Sequence, residues 1–137
     1  MTSTADPITL AARKDWARRP LAFIVWWGLP TVLGVCASFK IIHHGIDVFD
    51  LSQRQLAFVW TALFFWMASG CLLNALRCRR LHCYVSGPAL LLGALASGLL
   101  GLRQLTLGPG GLNMIIAVTT VLVAASFVPE LTWKRYA

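Results

Sequence analysis

Four apolar stretches, residues 21–39, 56–76, 84–102 and 112–128, alternate with short polar segments, and every charged residue of the chain lies in those segments. Crossing a hydrocarbon core takes about 17 to 25 helical residues, so each stretch is read as one membrane span. The third is the shortest: from Pro88 it runs only to Leu102, and it borrows residues 84–87 to reach a comfortable length. Lipid offers the backbone no hydrogen-bond partner, so only helices or closed barrels cross it. The stretches lack the strict alternation of barrel strands. The expected fold is therefore all-α, an integral membrane bundle of four transmembrane helices.

Residues 1–20 form a separate polar segment ahead of the transmembrane domain, 21–137. Asp6 before Pro7 has the form of an N-cap followed by proline at the first helical position. Ile8, Ala12 and Trp16 then fall on one face, with Arg13, Lys14 and Arg18 largely elsewhere, which predicts a short amphipathic helix on the membrane surface. Arg19 and Pro20 turn the chain into the first span. That span is expected to be retained: it exceeds the apolar core of a signal peptide, and in Leu33-Gly34-Val35-Cys36 a valine stands where cleavage needs a small residue. Pro30 is expected to kink it. Ser86 or Gly87 is expected to cap the third helix, with Pro88 in its first turn.

Composition agrees with the pattern: 58% of the residues are hydrophobic and 12% charged, against about 25% charged in soluble domains. The 12 Lys and Arg residues divide unevenly. Nine (Arg13, Lys14, Arg18, Arg19, Arg77, Arg79, Arg80, Lys134 and Arg135) lie on one side, and Lys40, Arg54 and Arg103 on the other. The positive-inside rule places both termini in the cytoplasm, an N-in/C-in topology. The net charge of +7 is accounted for by topology, with Arg77, Arg79 and Arg80 as orientation residues, and gives no reason to expect nucleic acid as a partner.

Candidate chemistry concentrates on the second span. Trp60, Phe64, Met67, Cys71, Asn74 and Cys78 recur every three or four residues and form one helical stripe. Thioether and thiol donors select soft ions. The stripe leads to Cys78, His82 and Cys83, which have the donor types of a tetrahedral or trigonal metal site, while neighbouring arginines favour thiolates. Met and Cys also serve as ordinary packing residues, and Asn bridges membrane helices. On the other side His43, His44 and Asp47 offer an alternative outer site, with Asp50 nearby. In the third span, Gly93, Ser97 and Gly101 form a small-residue face that lets helices approach closely, within the bundle, in a homo-oligomer or in a larger membrane complex. No span carries an acid, which argues against ordinary proton-coupled transport. Covalent-haem, zinc-protease, phosphate-loop and serine-hydrolase motifs are missing from the sequence.

The run Asn74-Ala75-Leu76-Arg77-Cys78-Arg79-Arg80-Leu81-His82-Cys83-Tyr84-Val85-Ser86-Gly87-Pro88 resembles the N-x2-R-C-x-R-x-H-C-x3-G-P signature of an uncharacterised family of small bacterial and archaeal polytopic membrane proteins. The resemblance covers about fifteen residues and implies no activity. Small mercuric-ion transporters are a looser likeness; they use adjacent cysteine pairs, which this chain lacks, and that departure counts against mercury. The residues lead to an expectation of binding or transport of a soft metal ion, copper, zinc or mercury, at Met67, Cys71, Cys78, His82 and Cys83. Catalysis is the lesser expectation. The alternatives are a non-catalytic accessory or assembly subunit of a larger complex and a membrane thiol oxidoreductase.

Overall fold

The computed structural model describes residues 15–16, 19–38, 52–79, 81–108 and 110–129, with only the main chain at Cys78. The described residues are helical throughout their long segments, and no strand occurs among them. Helix α1 runs Pro20–Ser38, α2 Gln53–Cys78, α3 Leu81–Gly101 and α4 Gly111–Ala125. The first three are long and apolar enough to cross a membrane. At 15 residues, α4 spans only about 22 Å, short of a hydrocarbon core of roughly 30 Å. Many large apolar side chains face outward, among them Leu21, Phe65, Leu92 and Val121. These surfaces are consistent with an integral membrane protein.

Local chemistry sets the helix ends. Ser52 starts α2 with a reciprocal cap: its hydroxyl accepts from the Gln55 N–H at 3.3 Å, and the Gln55 carboxamide accepts from the Ser52 N–H at 2.8 Å. That cap begins the helix before residue 56. Arg79 ends it in the left-handed region at φ 53°, while its N–H still bonds the Ala75 carbonyl at 2.8 Å.

Two proline expectations meet different outcomes. In α1 the distortion is a π-helical stretch, Ile24–Gly28, directly ahead of Leu29 and Pro30. Proline has no N–H to return to the residue four before it, and a widened turn is one way a helix absorbs that loss. In α3 the helix starts at Leu81, so Pro88 sits inside it, about two turns past the start, and not in the first turn expected from a cap at Ser86 or Gly87. The exposed proline ring points out of the bundle, and membrane helices tolerate such a gap through local adjustment.

The helices pack in chain order, and glycines permit the closest approaches. A Cβ on Gly34 of α1 would lie 2.8 Å from the Trp60 ring of α2, and one on Gly70 of α2 would lie 3.0 Å from the Trp26 ring of α1. On α3, Gly87 faces Leu72 at 2.9 Å, Gly93 faces Thr119 of α4 at 2.7 Å, and Gly101 faces Phe58 of α2 at 3.1 Å. Gly93, Ser97 and Gly101 are buried. Helix α3 is thus held between α2 and α4. The Ser97 hydroxyl is buried with no hydrogen-bond partner among the described residues.

Candidate functional site: a buried thiol pair

The α2 stripe turns inward. Trp60, Phe64, Met67, Cys71 and Asn74 are all buried, and Met67 and Cys71 belong to the same apolar core as Cys83 of α3. Helix periodicity alone produces this alignment from α2, and the antiparallel return of α3 brings His82, Cys83 and Ser86 against its C-terminal half.

Cys71 is the centre of the arrangement. Its sulfur accepts from the Trp27 indole N–H of α1 at 3.2 Å and from the Ser86 hydroxyl of α3 at 3.4 Å. Cys83, about one turn before Ser86 on α3, lies in the same apolar core, so two thiols from different helices share one buried region. Cys83, 0% exposed, also lies 3.7 Å from the Asn74 amide nitrogen and 3.3 Å from His82 Nε2. The His82 ring stacks on Phe127 at 4.3 Å. One helical turn back along α2, the Met67 thioether receives the Thr31 hydroxyl of α1 at 3.8 Å, while the same hydroxyl donates to the Trp27 carbonyl at 2.6 Å.

Asn74 ties this centre to the segment preceding α1. Its carbonyl oxygen accepts the Trp16 N–H at 2.9 Å, and its amide nitrogen donates to the Asp15 carboxylate at 3.0 Å. Asp15 is only 1% exposed. The Trp16 indole stacks on Trp26 of α1 at 5.4 Å, and the Arg77 guanidinium lies 4.7 Å from the Trp16 ring. Asp15 and Trp16 dock against the helix bundle, where a buried amide on α2 offers both a donor and an acceptor; most of the segment expected to form the amphipathic surface helix is not among the described residues. Residues 1–14 lie outside the described residues.

The expected donors separate into two groups. Met67, Cys71, His82 and Cys83 are brought into one buried region. The side chain of Cys78, together with His43, His44, Asp47 and Arg80, lies outside the described residues. Arg77 and Arg79 are exposed near the end of α2. Among the described residues, no group of three or more His, Cys, Asp or Glu side chains is arranged to hold a metal ion. What these residues do offer is a two-sulfur centre, with an imidazole beside one sulfur and a thioether a turn away from the other.

Sequence reasoning missed Asp15, Trp27, Ser86 and Phe127. Only Asp15 carried a signal, as a lone acid among Arg13, Lys14, Arg18 and Arg19. The others acquire their roles through contacts between helices, which no local pattern records. Comparison of the chain with family models, curated proteins and solved structures finds no match.

Proposed function

We propose that this is a four-span protein of a bacterial or archaeal cytoplasmic membrane, with both termini inside, that binds a soft metal ion on the Cys71 and Cys83 sulfurs. The observation that carries this reading is the placement of two thiols from separate helices in one apolar core, with Ser86 of the Cys83 helix bonded to Cys71. Thiolate and thioether donors favour Cu(I) and similar ions over hard cations. Structural zinc, by contrast, is almost always held by four ligands. A two-sulfur centre with an adjacent imidazole suits copper(I) better than zinc. Met67 extends the route outward along α2, and Cys78 ends the same helix.

Trp27 and Ser86 both donate to Cys71. Donors aimed at sulfur hold the charge that a thiolate would bring into the interior, and charge-assisted bonds of this type are stronger than neutral ones. A cationic ion between two thiolates further reduces the exposed charge, which is how a site of this kind is tolerated in lipid.

The test is an anaerobic Cu(I) titration of the purified full chain in detergent, in competition with a chromophoric chelator. One Cu(I) per chain is expected, with at least tenfold weaker binding in Cys71→Ser and Cys83→Ser and unchanged binding in Cys36→Ser. Equal affinity of the wild-type chain and the Cys71→Ser/Cys83→Ser double variant would overturn the proposal.

A further inference from the structure

The thiol pair adjoins a cavity of about 330 Å³ between the four helices, within the size range of small-molecule sites. Cys71, His82 and Ser86 line it, together with Phe23 and Trp27 from α1 and Phe127 just beyond α4. Helix α1 packs on α2, and α4 packs on α3. The cavity therefore lies at the seam between the two outer helices. At its rim Phe23 and Phe127 are 49% and 42% exposed, so the cavity is open to the outside of the bundle there.

Its walls suit a flat conjugated ring. Phe23 and Trp27 form one aromatic pair, with centroids 5.7 Å apart, and His82 and Phe127 form a second, stacked at 4.3 Å. Aromatic groups favour offset or edge-on contact with further rings. The other grooves along α3 are different: the one lined by Phe65, Leu91, Leu95 and Leu99 holds no sulfur or imidazole and offers nothing beyond a bed for an acyl chain. The cavity at the seam combines aromatic walls, an open rim and a thiol.

We propose that this cavity takes the head group of a membrane-dissolved quinone and that Cys71 and Cys83 reduce it, closing to a disulfide. The inference rests on the thiol pair of the proposed function but does not require a bound ion. Cys71 sulfur, on the cavity wall, adds to a ring carbon as its S–H bond breaks. Cys83 sulfur then attacks the Cys71 sulfur as its own S–H bond breaks. The S–S bond forms, the C–S bond breaks, and the electron pair stays on the ring. The two thiol protons end on the two quinone oxygens, so two thiols and one quinone give one disulfide and one hydroquinone. His82, which touches Cys83 and lines the cavity, is placed to carry a proton between them.

Metal and quinone then compete for the same sulfurs. A disulfide has no thiolate left for Cu(I), and a bound ion occupies the electrons that the quinone would take.

The experiment uses the reduced full chain in lipid nanodiscs without oxygen, mixed with one equivalent of decylubiquinone. Quinone absorbance and peptide mass spectrometry are followed together. One quinone is expected to be reduced per chain, with a Cys71–Cys83 disulfide peptide as the product. Cys36→Ser should react like the wild-type chain, and Cys71→Ser should not react. Wild-type protein alkylated at its thiols provides a folded control that should also be inert. Preloading with one Cu(I) should slow the reaction at least tenfold. Unreduced quinone with both thiols still titrating would overturn this inference, as would undiminished reduction by Cys71→Ser. Cu(I) binding without quinone reduction defeats only the quinone inference; quinone reduction without Cu(I) binding defeats only the metal reading.

Discussion

Asn74 holds three groups with one amide: the Trp16 N–H, the Asp15 carboxylate and the Cys83 thiol. Since Asn74 is fully buried, replacing it with leucine removes these bonds in an interior that cannot replace them with water. Losing a hydrogen bond to a buried group costs about 1 to 3 kcal/mol, so Asn74→Leu should lower stability by at least ~1 kcal/mol in thermal unfolding of the detergent-solubilised chain. It should also expose the Asp15 and Trp16 segment to limited proteolysis. Trp27→Phe keeps a ring and deletes one donor to Cys71. A hydrogen bond contributes about 1 kcal/mol, so Cu(I) affinity should fall by roughly fivefold, far less than on loss of either sulfur; the same chelator competition measures it.

At the scale of helices, the stripe from Trp60 to Asn74 was legible because a single period of 3.6 carries it, and its residues are buried as a set. The start of α3 was not legible. Ser86, Gly87 and Pro88 have the composition of a helix start, yet the helix begins at Leu81, since the left-handed residue Arg79 has already broken the chain. A proline marks a first turn only when nothing upstream competes to be helical. The glycines of α3 separate into close and loose positions. A side chain on Gly93 would strike Thr119 at 2.7 Å, whereas one on Gly98 would meet Thr61 at an ordinary 3.5 Å. Gly93→Val should therefore destabilise the protein by about 1 to 3 kcal/mol, and Gly98→Ala should change the midpoint of thermal unfolding little.

For the whole molecule, the membrane class follows from length and hydrophobicity, which are local properties, and three long apolar helices agree with it. The thiol pair was only half legible. Cys71 and Cys83 were each candidates, but the sequence grouped Cys83 with Cys78 and His82 by proximity along the chain; the fold places it in the same buried core as Cys71, twelve residues away, through the α2–α3 return. The proposed topology predicts that an alkaline phosphatase reporter is inactive when fused after residue 137 and active when fused at residue 108, on the outer side. The reverse pattern would contradict an orientation with both termini inside.

The central claim is that Cys71 and Cys83, brought together from two helices, form one soft-ion centre. X-ray absorption at the copper edge of the Cu(I)-loaded full chain tests it most directly. A sulfur shell that persists in Cys78→Ser and is lost in Cys71→Ser and in Cys83→Ser is the predicted result. A shell of nitrogen or oxygen, or a sulfur shell lost in Cys78→Ser but retained in Cys71→Ser, would contradict it.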